Sequence, residues 1–263
     1  MSIRSPHLAE TLTDALTDVG TRPARTDLDT DLGHGTGPGA GRTTASGAPR
    51  AASRGWALAG LVSGLAGIGA IAASMAVSAV YDPALDADPA RINDALGDMV
   101  PQILTFHVLG MVSAVLMIVF AAGLLRRLRA GTGPDSLVPT IATAGVFGTA
   151  LMLVVGTALD TEFVFGAGTD EVVPESAVFF NHWIGTVPWC WGLLGLAGVA
   201  LFAAARHGDL PRWIGLVGLL GGGLTLLLGI SPLQYMAGMT GPIGLVVIAL
   251  GFLLGDRAHR HAG

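Results

Sequence analysis

The stretch QILTFHVLGMVSAVLMIVFAAGLL, residues 102–125, decides the fold. It runs 24 residues without an Asp, Glu, Lys or Arg and stops at Arg126, Arg127 and Arg129. A helix of that length is about 36 Å long at 1.5 Å per residue, and the hydrocarbon core of a bilayer is about 30 Å thick. The run therefore reads as a membrane crossing whose basic end is held at an interface. Working outward, five more stretches meet the same test: Trp56–Val80, Val138–Leu159, Phe179–Ala205, Trp213 to about Pro232, and Tyr235–Leu254. A sixth helix beginning at Pro242 would be only about 20 Å long, so it is expected to start near Tyr235 and to kink at Pro242. The expected fold is all-α, a bundle of six transmembrane helices.

Composition agrees with that reading. Hydrophobic residues make up 51% of the 263, and charged residues only 13%, where an ordinary soluble domain carries roughly 25% charged residues. With 39 Gly and a mean hydropathy of +0.63, the apolar content is the small and aliphatic palette of lipid-embedded helices. A soluble globular fold is excluded, and a net charge of −5 offers no general attraction to nucleic acid. Cys190 is the single cysteine, so no internal disulfide and no Cys/His zinc spacing can be drawn. No phosphate-binding loop, GxSxG, HExxH or dinucleotide fingerprint stands in a strand-to-helix setting.

Arg placement orients the bundle, because basic residues in short loops stay on the cytoplasmic side. Arg50 and Arg54 precede the first span, Arg126, Arg127 and Arg129 follow the second, Arg206 and Arg212 flank the fourth connection, and Arg257 and Arg260 follow the sixth. All fall on one side. The opposite connections, 81–101 and 160–178, carry ten acids against Arg91 alone. A multi-pass protein of the plasma (cytoplasmic) membrane with both termini inside is expected, residues 56–255 forming the membrane domain and 256–263 a short cytoplasmic tail. Val77-Ser78-Ala79 resembles a signal-peptide cleavage site, but the apolar run before it is too long for a signal core, so a retained anchor is expected.

Residues 1–55 differ from the rest. Six Arg balance six acids and no apolar run is long enough to bury, which predicts a disordered cytoplasmic tail. Ser5-Pro6 opens a short amphipathic helix over 6–19, with Leu8, Leu12, Leu16 and Val19 on one face and Glu10, Asp14 and Asp18 on another. Such a helix is either transient or the place where a protein partner docks.

Candidate chemistry lies in the outer half of the bundle. No Asp, Glu, Lys or Arg occurs within the six spans as drawn, which argues against an ion-coupled pump. His107 sits about 9 Å inside the outer end of the second span and His182 about 5 Å inside that of the fourth. Three roles are open: separate packing hydrogen bonds, two axial ligands of a b-type haem, or a zinc site joining His107 and His182 to Asp160 or Glu162. Neither metal reading has a diagnostic spacing, so no cofactor is predicted; haem and zinc stand as alternatives. Pro188 should bend the fourth span among Trp183, Trp189 and Trp191, and Asn181, Gln102 and Gln234 add outer polar groups consistent with a hydrated vestibule. Asp88-Pro89 starts a helix whose Ile92, Leu96, Met99 and Val100 face the outer membrane surface. Small residues four apart, namely Gly60/Gly64, Ser63/Gly67, Ala144/Gly148, Gly218/Gly222 and Gly251/Gly255, mark expected helix contacts.

The Ala/Gly/Leu-rich, Lys-free composition, FAAGLLRRLR at 120–129 and GDLPRWIG at 208–215 resemble the multi-pass integral membrane proteins plentiful in high-GC actinobacteria. The resemblance covers roughly residues 56–260. It implies a bacterial cell-membrane setting and carries no activity, cofactor or catalytic residue. The function expected is non-enzymatic: small-ligand transport, sensing or partner regulation.

Overall fold

In a computed structural model of the chain, residues 54–255 are described. The tail helix expected over 6–19 and the segment 256–263 lie outside them. Six helical segments are long and apolar enough to cross a membrane: Gly55–Ala76, Val100–Arg129, Val138–Gly166, Pro174–Arg206, Arg212–Ile230 and Gln234–Gly255. Among the described residues there are no strands. Each span packs against its neighbours in sequence, and the sixth closes on the first, giving a ring of antiparallel helices. Leu58, Leu65, Val115, Val119, Leu151, Leu220 and Leu227 are exposed on its outside. So much apolar surface is untenable in water and is what lipid requires.

The interior is built by small residues that admit large ones. A Cβ on Gly64 would lie 2.7 Å from Val246 Cγ2, and one on Gly67 would overlap the Trp191 indole. Between the first two spans, Ser63 and Ser113 hydrogen-bond reciprocally: Ser63 Oγ donates to the Ser113 carbonyl at 2.8 Å, and Ser113 Oγ donates to the Ser63 carbonyl at 2.9 Å. Both serines are fully buried, so these bonds satisfy groups that lipid could not. The expected Ala144/Gly148 contact is shifted by one residue. Ala144 is exposed, and Gly145 and Thr149 form the buried row, with Gly145 against the backbone of Leu193 and Ala197.

Span four is broken rather than bent. Its α-helix ends at Thr186, a five-residue 3-10 segment covers Val187–Trp191, and the helix resumes as Leu194–Arg206. Pro188 accounts for the break, since it lacks an N–H and its ring clashes with the preceding turn. The break turns Trp191 into the centre of the bundle, where it is fully buried against Gly67 of span one and Gly241 of span six. Span six starts with a 3-10 turn at Gln234–Met236 and carries Pro242 inside its helix, as the sequence predicts. Spans five and six each contain an i→i+5 turn, at Gly218–Gly222 and Gly251–Gly255.

The two acidic connections form a cap. Asp82 accepts from Ala84 N, and Asp88 accepts from Ala90 N and Arg91 N, so both carboxylates are spent on starting turns. Arg91 pairs with Asp86 at 2.9 Å. The Pro89–Gly97 helix does not simply lie on the membrane surface: it packs on the outer half of span four. Asn93 Nδ2 donates to the Thr169 carbonyl, and Gly168 N donates to Asn93 Oδ1. Gly168 has φ +74°, and its α-carbon side abuts Gly97, an approach that needs glycine at both positions.

Candidate functional site

The second and third spans approach where Gly110 faces Thr157, a Cβ on Gly110 falling 3.1 Å from the Thr157 methyl. The third span leaves its α-helix at Gly156, turns through 157–159 and resumes as Asp160–Gly166. Thr157 Oγ1 stabilises this turn by donating to the Val154 carbonyl at 3.1 Å. One helical turn outward on each element, His107 stands three residues before Gly110 and Asp160 three after Thr157, so the same register brings them together. His107 Nδ1 lies 3.3 Å from Asp160 Oδ2.

Asp160 is therefore no surface acid at the mouth of a cavity. It is fully buried, and its Oδ1 has no hydrogen-bond partner. The His107 side chain is 34% exposed and forms the boundary between this carboxyl and the outside. A carboxyl in such surroundings can hold a proton or share one with the imidazole. Glu162, two residues further on, is exposed.

His182 is placed elsewhere. It is exposed and meets Tyr81 edge-on, with ring centroids 5.7 Å apart and planes at 82°. Its neighbour Asn181 points the other way and is fully buried. Asn181 Nδ2 donates to the Val77 carbonyl and Val80 N donates to Asn181 Oδ1, both at 2.7 Å. Asn181 thus pins the backbone where the first span ends; it does not line a hydrated vestibule. Its amide offers a donor and an acceptor on one fork, and the unpaired groups past Ala76 need one of each.

Of the four candidates His107, His182, Asp160 and Glu162, the structure joins only His107 and Asp160. Among the described residues no three His, Cys, Asp or Glu side chains converge to hold a metal, whereas a catalytic zinc takes three protein ligands. The two imidazoles also have separate partners, Asp160 for one and Tyr81 for the other.

Beside His182 the structure opens a cavity of about 370 Å³ between spans one, four and six, walled by Met75, Val77, Pro188 and Met239 and edged by Tyr81 and Tyr235. The chain contains only these two tyrosines, and both face this space. Sequence reading places each at an outer helix end, but their convergence depends on the closure of span six on span one. The tryptophans divide their roles. Trp183 Nε1 donates to the Gly156 carbonyl at 2.9 Å, Trp191 is core with its Nε1 unpartnered, and Trp189 lines a second cleft with Met152 and Leu226.

Compared with known proteins, the chain matches no protein family, no curated protein and no solved structure.

Proposed function

We propose that the chain is a non-enzymatic multi-pass protein of the cytoplasmic membrane, with both termini inside, that binds a small, largely apolar ligand from the outer leaflet in order to sense or transport it. The observation that carries this reading is the cavity between spans one, four and six. Its volume of about 370 Å³ is within the range of roughly 300–1,000 Å³ typical of small-molecule sites. Its walls are largely apolar, the Ser74 and Thr186 hydroxyls that also line it being donated to the Ile71 and His182 carbonyls, and two tyrosines stand at its edge, the combination that fixes the orientation of an amphiphile. One wall is Pro188, within the broken segment of span four, so occupancy bears directly on the least regular part of the bundle. Residues 1–55 would be the cytoplasmic arm through which a protein partner reads that event.

The test uses the full chain in lipid nanodiscs with a diazirine-bearing fatty alcohol as the probe. Photolabelling is expected on peptides containing 74–81, 185–188 and 235–239, and Gly185→Leu, whose Cβ would already lie 2.8 Å from the Tyr81 hydroxyl and whose side chain would occupy the cavity, should abolish it. Labelling spread over the lipid-facing surface and unchanged in Gly185→Leu would overturn the reading. A Soret band lost in His107→Ala would replace it with a haem protein, and stoichiometric zinc would replace it with a hydrolase. Flux of the ligand across proteoliposomes distinguishes transport from sensing.

A further inference from the structure

A third cleft lies at the opposite, Arg-bearing end of the bundle, where span four runs into span five. It encloses about 360 Å³ and is lined by Phe202, Ala205, Arg206, Arg212 and Leu216. Glycines join the two helices that form it: a Cβ on Gly215 would overlap Ala205, and Cβ atoms on Gly198 and Gly218 would each come within 2.5 Å of the other residue's carbonyl oxygen. The two helices are thus locked in backbone contact, and Phe202 and Leu216 stand on either side of the seam. Leu216 is 53% exposed, so the cleft opens toward lipid.

Two guanidiniums close the aqueous end of this apolar slot. Arg206 lies over the Phe202 ring, 6.0 Å from its centroid, which fixes the cation at the mouth. Among the described residues no carboxylate lies within ion-pair distance of Arg206 or Arg212. Asp209, in the same connection, instead presents its backbone carbonyl to Arg127 at 3.2 Å. Arginine forks bind phosphate oxygens in pairs, and basic pockets between transmembrane helices recognise anionic head groups.

We infer that this cleft is a binding site for an anionic phospholipid, with the phosphate held by Arg206 and Arg212 and an acyl chain laid along Phe202 and Leu216. The site is separate from the outer cavity and stands whether or not that cavity binds a ligand. The apolar slot favours a lipid over free phosphate, since a free anion would leave Phe202 and Leu216 unused.

Native mass spectrometry of the full chain, with phosphatidylglycerol, phosphatidylcholine and inorganic phosphate as separate probes, tests this. Phosphatidylglycerol adducts are expected to persist at least tenfold longer in dissociation than phosphatidylcholine adducts. That preference should vanish in Arg206→Gln/Arg212→Gln and survive in Arg126→Gln/Arg129→Gln, which removes the same charge elsewhere on the same face. Leu216→Trp, which fills the slot without changing charge, should weaken phosphatidylglycerol retention as well and covers the case in which the double variant does not fold. Equal losses in the two double variants would mean a general basic belt and overturn the assignment. Retention of inorganic phosphate equal to that of phosphatidylglycerol would overturn it in favour of a free anion.

Discussion

His107 and Asp160 show how one contact changes what two residues can do. Asp160 Oδ2 has the imidazole and Oδ1 has nothing, so the carboxyl already carries one unmade bond. Leaving a further buried acceptor unsatisfied costs about 1–3 kcal/mol. His107→Ala is therefore expected to lower stability by about that amount in detergent unfolding, and His107→Ala/Asp160→Leu should recover part of it, because an apolar side chain leaves no buried acceptor unpaired. A single His107→Ala variant as stable as the parent would show that the pair contributes nothing. The residue types and the depth of His107 were legible in the sequence; the burial of Asp160 was not, since it opens the acidic connection 160–178 and yet is fully buried. Their pairing was not, because it follows from the Gly110–Thr157 approach between two helices and no local spacing encodes that. Asn181 is a similar case: its identity suggests an outer polar group, but its two bonds go to backbone about a hundred positions away.

At the scale of the helices, the apolar runs identify all six spans because a bilayer imposes one length on every crossing. Contact faces were harder to read, since four-residue spacing of small residues is common wherever Gly and Ala are abundant. Gly198 and Ala144 separate the two situations. A Cβ on Gly198 would meet the Gly218 carbonyl oxygen at 2.5 Å and the Gly222 Cα at 2.7 Å, backbone atoms that cannot rotate away. Gly198→Val is expected to cost about 3 kcal/mol or more and to reduce the yield of folded protein on size exclusion. Ala144 is exposed to lipid, and Ala144→Val should stay within about 0.5 kcal/mol of the parent. Comparable losses from both would mean that the packing of span four on span five is not as described.

For the molecule as a whole, charge is sorted to two ends. Arg54 Nη1 donates to the Leu253 carbonyl at 2.7 Å, and Arg127 Nη2 donates to the Asp209 carbonyl, so the start of span one, the end of span six and the connections after spans two and four share one face. The acidic cap holding Asn93, Gly97 and Gly168 lies at the other. The proposal that the Arg face is cytoplasmic predicts that reporter fusions after Arg129 and after Arg260 both report cytoplasm; an external signal at either rejects it. This sorting was legible because it depends only on which loop a residue occupies. The centre was not: Trp191 could be assigned to lipid or to core until the break at Pro188 turned it inward. That break also bears on biosynthesis. Thirteen helical residues on each side of Val187–Trp191 are too few to cross alone, and the irregular backbone between them is tolerable at membrane depth only when enclosed by protein. Part of that enclosure is Gly241, in the sixth span, which lies against Trp191. The fourth crossing can therefore be threaded early but completed only once the sixth span has been made, which ties the closing of the break in span four to a helix that enters the membrane two crossings later.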